Sequence, residues 1–145
     1  MSTLVRPEIS ERNKYYIDKH RYYELKHFCL QYNEWKKLYS YCNESIIFSS
    51  NIECSPSSNL PSDLTAKYAM KKAYYGHRIK LIEKAAMEAD DYLYPYILKG
   101  VTEGLSYTYL KTKMDIPCGR DMYYDRYRKF FWLLSEARDW YFRRN

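Results

Sequence analysis

The sequence predicts an all-α protein, a single-domain helical bundle that ends in a helix-turn-helix with a long C-terminal helix. Apolar residues recur at spacings of three and four along most of the chain, which is the period of an α-helix. Gly and Pro are few, at 4 and 5 residues, so little of the chain is marked as turn. With 145 residues, 46% of them hydrophobic, the chain is long enough to bury a core of its own.

The N-terminal part of the chain alternates between predicted order and predicted loop. We expect residues 1–12 to form a flexible tail. Residues 13–42 are expected to be helical, because their apolar side chains repeat along one helix face. Residues 43–61 are rich in Ser and Asn and contain Pro56 and Pro61, so we expect a Ser-rich loop there. A loop of this length is either functional or mobile.

A long helix is predicted for residues 62–88. Ser62 is a residue type that commonly caps the N-terminus of a helix, with Asp63 in the first turn. Gly76 lies inside the helix and costs roughly 1 kcal/mol relative to Ala. We therefore expect Gly76 to permit the close approach of a neighbouring helix.

Residues 90–140 are expected to form the helix-turn-helix unit. Asp90 or Asp91 is the predicted cap of its first helix, and Gly104 is the predicted end of that helix. Ser106 is the predicted cap of the next helix, which runs to Met114. Apolar residues at the crossing of the helices are expected to point inward; these are Leu110, Met114, Ile116, Met122, Tyr123, Tyr127, Phe130 and Leu134.

The final helix, 119–140, is the candidate for reading duplex DNA. Its outward positions are expected to carry Arg120, Tyr124 and Arg128, near the end that reaches base edges in such motifs. Arg pairs well with guanine, and Tyr contacts phosphates or base edges. Lys111 and Lys113, on the preceding helix, are expected to contact the flanking phosphate backbone.

The segment Gly104-Leu105-Ser106-Tyr107, with Leu110, Met114, Ile116-Pro117 and Gly119, resembles the fourth region of bacterial sigma factors. The basic, Tyr-rich stretch 122–131 resembles the late-gene regulators of phages of Gram-positive bacteria. The resemblance covers about residues 92–135 and implies a phage or prophage protein that binds promoter DNA, alongside host RNA polymerase. Three features depart from that pattern: Lys111 replaces a small residue, Asp115 replaces a turn glycine, and Asp121 and Asp125 add negative charge.

Composition is compatible with a polyanionic partner. The net charge is +6, and residues 106–145 carry more of this excess than any other segment. No apolar run is long enough for a membrane helix, and the four cysteines form no CxxC pair. We therefore expect a protein of the bacterial cytoplasm with reduced thiols and no membrane partner. A homodimer is one open possibility for its oligomeric state.

Catalysis finds little support in the sequence, so we expect no enzyme, metal or cofactor. The three histidines and the carboxylates lack the spacing of a zinc or acid–base site, and no glycine-rich phosphate loop is present. Two alternatives to DNA binding remain open. The 19 Tyr and 3 Trp suit a phage-encoded inhibitor or adaptor of a host nucleic-acid enzyme or defence complex, for example of anti-CRISPR type. A virion assembly component is the third.

Overall fold

The computed structural model describes residues 13–52 and 60–144, and every regular element in these ranges is a helix. This confirms the all-α class predicted from the sequence. The helices are α1 (Lys19–Leu30), α2 (Tyr32–Ile52), α3 (Leu60–Ala89), α4 (Tyr94–Glu103), α5 (Tyr107–Met114) and α6 (Arg120–Arg144). The tail predicted at residues 1–12 lies outside the described residues.

The first helix begins later than predicted. The amide of Tyr15 donates to the side chain of Asn13 at 2.9 Å, so the chain turns there instead of starting a helix. Asp18 is the N-cap of α1, and its carboxylate accepts a hydrogen bond from the amide of His20 at 3.1 Å. The prediction of helix is therefore wrong for residues 13–18.

The loop predicted for residues 43–61 is wrong wherever the structure describes it. Residues 43–52 continue α2 to Ile52, and α3 begins at Leu60, so Ser62 lies inside α3 and does not cap it. Ser45 satisfies its hydroxyl within the helix by donating to the carbonyl of Tyr41 at 2.8 Å. Asn43 accepts a hydrogen bond from the Lys72 ammonium of α3 at 2.9 Å, so polar partners satisfy the Ser and Asn side chains whose helix preference is weak. Residues 53–59 lie outside the described part of the chain.

The chain divides into two compact units, which we describe separately. The first unit comprises the described residues of 1–31 and 81–145, and the second comprises residues 32–80. The long helix α3 contributes its last turns to the first unit and its earlier part to the second. The single domain predicted over residues 13–145 stays a prediction.

The first unit packs α1, the end of α3, α4, α5 and α6 around a continuous apolar core. Its fully buried large side chains are Leu25, Ile82, Leu93, Ile97, Leu110, Ile116, Tyr123, Phe130, Phe131 and Leu134. Ion pairs join α1 to α6, from Arg21 to Asp139 at 2.7 Å and from Arg138 to Glu24 at 2.8 Å. Both pairs are partly exposed and contribute at most about 1 kcal/mol each. A buried Leu or Phe contributes roughly 1.5–3 kcal/mol, so the core dominates the packing.

The second unit pairs α2 with the earlier part of α3 through aromatic and polar contacts. The ring of Tyr39 lies against Gly76, where an added Cβ would be 3.0 Å from the ring carbon Cε2. The close approach predicted at Gly76 is therefore confirmed. The ammonium of Lys72 donates to the side-chain oxygen of Asn43 at 2.9 Å.

Candidate nucleic-acid interface

The junction between α4 and α5 follows the local signals in the sequence. Gly104 ends α4 in the left-handed conformation, with φ 67°, and its amide donates to the carbonyl of Gly100. Ser106 caps α5, and its hydroxyl accepts from the amide of Tyr109 at 3.2 Å. Both predicted boundaries are confirmed, and α5 is thereby limited to the short segment Tyr107–Met114.

A sharp turn over residues 115–119 links α5 to α6. Asp115 adopts the left-handed conformation, with φ 50° and ψ 50°. The amides of Asp115 and Ile116 both donate to the carbonyl of Leu110. Ile116 is fully buried, which confirms that it fills the inside of the turn. The left-handed conformation costs a non-glycine residue about 1 kcal/mol or more, so Asp115 holds the turn under strain.

Replacing Asp115 by Gly is therefore expected to stabilise the protein by about 0.5–1 kcal/mol, measured by urea denaturation. Glycine adopts the left-handed conformation without strain, and the change also removes an acidic group from the C-terminal end of α5, where the helix dipole disfavours it. Asp121 in the first turn of α6 gives the matched control, because Asp121→Gly should destabilise the helix. A loss of stability in Asp115→Gly would contradict the proposed strain.

The turn is anchored to α6 by aromatic side chains. The hydroxyl of Tyr107 donates to the carbonyl of Cys118 at 2.7 Å, and the Tyr107 ring lies 5.9 Å from that of Tyr123. The hydroxyls of Tyr22 and Tyr127 lie 2.7 Å apart, which ties α1 to α6. Burial is the main cause that raises the pKa of Tyr127, followed by the proximity of Tyr22. These contacts with α1 and α5 therefore fix which side of α6 faces the core of the first unit.

The inward residues predicted for this region are mostly confirmed. Leu110, Ile116, Tyr123, Phe130 and Leu134 are fully buried, whereas Met114 and Tyr127 are half-buried. The inward placement predicted for Met122 is wrong, because 47% of this residue is exposed. Successive residues are rotated by about 100° along a helix, so Met122 leaves the face that Tyr123 occupies. Phe131 completes that buried face and was not predicted.

The five predicted DNA-contacting residues differ in exposure. Lys111, Lys113 and Arg120 are exposed, whereas Tyr124 and Arg128 are half-buried. The guanidinium of Arg120 lies 5.7 Å from the centre of the Tyr124 ring, so the structure brings these two together. The Nε atom of Arg128 is buried and has no hydrogen-bond partner among the described residues. Arg128 therefore points outward less than the sequence suggested.

Carboxylates near this surface are partly neutralised by Arg126. Its guanidinium donates to Asp125 at 2.7 Å and to Asp90 at 3.0 Å. Burial acts to raise the pKa of Asp90, but hydrogen bonds from the Leu93 amide, the Arg126 guanidinium and the Tyr92 amide together lower it. Asp90 thus accepts amides ahead of α4, as expected of a cap, although α4 itself begins at Tyr94.

Arg126 is a site residue that the sequence analysis did not single out. Asp90 lies 36 positions earlier in the chain, and no local pattern links two residues at that separation. The charges of Asp125 and Arg126 cancel locally, which leaves Asp121 as the exposed carboxylate in the first turn of α6. A carboxylate in this position is favourable for the helix dipole.

A cleft of about 160 Å³ between α1, α4 and α6 is lined by Tyr22, Lys26, Leu105 and Tyr127, among others. This volume is below the roughly 300 Å³ at which typical cofactor pockets begin. Residues 13–52 and 60–144 contain no group of three or more His, Cys, Asp or Glu side chains that could hold a metal ion.

Comparison with known proteins adds no relative to this picture. No protein-family model matches the sequence, and no curated protein or solved structure matches it either. Within the described residues, no helix combines the length and the apolar character needed to cross a membrane.

Proposed function

We propose that the protein is a sequence-specific DNA-binding transcription regulator of phage type, in which α4, α5 and α6 act as a helix-turn-helix. The observation that carries the proposal is the exposure at the start of α6. Gly119, Arg120, Asp121 and Met122 are all exposed, while Tyr123 directly behind them is fully buried. In a helix-turn-helix, the N-terminal residues of the recognition helix contact base edges in the major groove, so they are exposed while the residues behind them are held by the core.

The charges around this turn support the same proposal. Lys111 and Lys113 form no ion pair with any described residue, so both ammonium groups are available to phosphates. Arg120 is proposed to pair with a base edge, and Tyr124 to contact a phosphate or base beside it. Arg128 would reach DNA only with its terminal guanidinium nitrogens, because its Nε is buried.

The test is fluorescence anisotropy with a labelled duplex from the region upstream of the gene and with random DNA, each titrated with salt. Arg120→Ala is expected to weaken binding to the preferred duplex by about tenfold or more and to relax the preference at one base pair. Lys111→Ala is expected to weaken both duplexes alike and to reduce the salt slope by about 1.

Lys84→Ala supplies a control with the same loss of charge, because Lys84 is exposed and lies on α3, away from the proposed DNA-binding residues of α5 and α6. It should leave both the affinity and the preference unchanged. Unchanged binding in a variant that combines Arg120→Ala with Arg128→Ala would reject the assigned face of α6.

As a second candidate function, the protein acts as an inhibitor or adaptor that binds a host nucleic-acid enzyme or defence complex. It is favoured by large apolar side chains exposed in the second unit: Tyr41, Ile47, Phe48, Met70 and Tyr74 are each more than half exposed. Aromatic and Met side chains are enriched where proteins bind one another. A stable complex with a defined host protein that is lost in Phe48→Ser, but kept in Arg120→Ala, would favour this function over DNA binding.

A further inference from the structure

The charged residues in the middle of α3 are all basic, and they play no part in the proposed helix-turn-helix. No Asp or Glu occurs between Asp63 and Glu83, although this stretch is rich in basic residues. These are Lys67, Lys71, Lys72, Arg78 and Lys80. In an ordinary solvated helix, acidic residues at spacings of three and four pair with such cations. Here Asp63 lies four residues before Lys67 and Glu83 lies three residues after Lys80, but neither forms an ion pair within the described residues.

Four residues of this stretch form a single row, which we call the α3 stripe: Lys67, Lys71 and Tyr74, which are exposed, and Arg78, which is half-buried. Their spacings of four, three and four place them on one helix face. Gly76, which faces Tyr39 of α2, lies on the opposite side of α3. Lys67 and Lys71 are exposed, and Tyr74 is 52% exposed. At 1.5 Å per residue the stripe is about 16 Å long.

The cations of the stripe are not neutralised within the described residues. Lys67, Lys71 and Arg78 form no ion pair there. The guanidinium of Arg78 lies 3.4 Å from the centre of the Tyr74 ring and donates to the Tyr74 carbonyl at 3.2 Å, which fixes its position. Burial lowers the pKa of His77, and the charges of Arg78 and Lys80 lower it further, as expected in a region of positive potential.

We propose that the α3 stripe is a second nucleic-acid surface, which binds the phosphate backbone of duplex DNA without reading bases. A row of cations about 16 Å long, without intervening carboxylates, is complementary to the regular charge of a duplex strand. Tyr74 adds a hydroxyl of the kind that contacts phosphate oxygens. The row ends where acids return, because Lys84 is paired with Glu88 at 3.8 Å. This surface belongs to the second unit and is independent of the proposed reading by α6.

The experiment measures the affinity of the full chain for a short random-sequence duplex as a function of salt. The triple variant Lys67→Gln, Lys71→Gln, Arg78→Gln is expected to reduce the slope of log affinity against log salt by about 2 to 3, or about 0.9 for each phosphate that is no longer neutralised. Circular dichroism of each variant verifies that the helices are retained, since all three side chains lie on an outer face of α3.

A matched variant, Lys19→Gln, Lys37→Gln, Lys84→Gln, removes the same net charge from exposed positions outside the stripe. Its slope should remain that of the native chain. Equal losses in the two triple variants would overturn the proposal, because net charge alone would then explain binding. An unchanged slope in the stripe variant would overturn it as well, as would stripe-dependent binding to phosphatidylserine vesicles without binding to the duplex.

The same data separate this proposal from the proposed function of α6. The change in the random-DNA slope between the native chain and the stripe variant measures the stripe, whereas the preference for the upstream duplex over random DNA measures the reading turn of α6. Loss of the preference in Arg120→Ala, with the random-DNA slope nearly retained, supports two separate surfaces. If the native chain shows no preference but its slope depends on the stripe, the regulator proposal fails while the α3 stripe stands.

Discussion

Replacing Gly100 by Ala is expected to destabilise the first unit by about 2 kcal/mol, although alanine is the better helix former. Gly100 lies in α4 directly beneath the hydroxyl of Tyr123, and an added Cβ would collide with that oxygen. Tyr123 is fully buried and its ring is held between neighbouring aromatic rings, including that of Tyr107 at 5.9 Å. The ring cannot move aside without disturbing the packing of α6, so the collision outweighs the gain in helix propensity.

A second substitution, Tyr123→Phe, is expected to restore the stability that Gly100→Ala removes. The Tyr123 hydroxyl is buried and has no hydrogen-bond partner among the described residues, and burial raises its pKa. Removing an unsatisfied hydroxyl should stabilise the protein by about 1 kcal/mol. The ring carbon that carries this hydroxyl would lie 3.6 Å from the Cβ of an alanine at position 100, which is ordinary contact, so Ala fits once the oxygen is gone.

Urea denaturation of the two single variants and the double variant measures the coupling, which we expect to be about 2 kcal/mol or more. Gly119→Ala is the control, because an added Cβ there meets nothing within 4 Å and should show no coupling to Tyr123→Phe. A double variant as unstable as Gly100→Ala alone would show that the collision is not with the hydroxyl.

Replacing Asp90 by Ala is expected to cost about 2–3 kcal/mol, the other large effect. The carboxylate accepts from the amides of Tyr92 and Leu93, each at 2.9 Å, and from Arg126 at 3.0 Å. The variant leaves two amides without their acceptor and Arg126 with Asp125 as its remaining ion-pair partner. Asp91→Ala is the control: Asp91 is an exposed neighbour of the same type, and its loss should cost less than about 0.5 kcal/mol.

The contribution of Asp90 should depend on pH in a defined direction. Its pKa is lower in the folded protein than the ordinary value of 3.8, so the unfolded chain binds the proton first as pH falls. The stabilisation is complete above the ordinary value and is lost as pH falls from there through the folded value. The difference in urea midpoint between Asp90→Ala and the native chain should therefore shrink in this acidic range. A difference that stays constant down to complete acid unfolding would rule out the carboxylate as its source.

Local signals in the sequence were sufficient for the helix boundaries around the candidate site. Gly104 and Ser106 mark the ends of adjacent helices through backbone geometry and side-chain capping, which require no knowledge of the rest of the fold. Spacing predicted most of the buried face of α6, as Tyr123, Phe130 and Leu134 show, but it missed Phe131 and wrongly included Met122. The turn at Asp115 was also located correctly, and Asp is one of the few non-glycine residue types that adopt the left-handed conformation.

Features that depend on distant residues could not be predicted. The helical continuation over 43–52 runs against its composition, which was the signal used for the loop, and Asn43 of this stretch is held by Lys72 of α3, 29 positions later. The pairing of Asp90 with Arg126, and the fit of Tyr123 over Gly100, join residues far apart in sequence. Both contacts require the packing of α4 against α6 to be known first. The function of the exposed turn at the start of α6 depends on the molecule that binds there, so the DNA-binding function stays a prediction.

The buried thiols give each unit its own internal reporter of opening. Cys29, in the first unit, is 0% exposed and Cys42, in the second, is 2% exposed. Burial raises the pKa of Cys29, so its sulfur is both shielded and held as the unreactive thiol. In a chain with Ser at positions 54 and 118, an alkylating reagent would react only during transient opening. The rate at which each sulfur is labelled then reports how often the unit around it opens locally, and no added probe is needed.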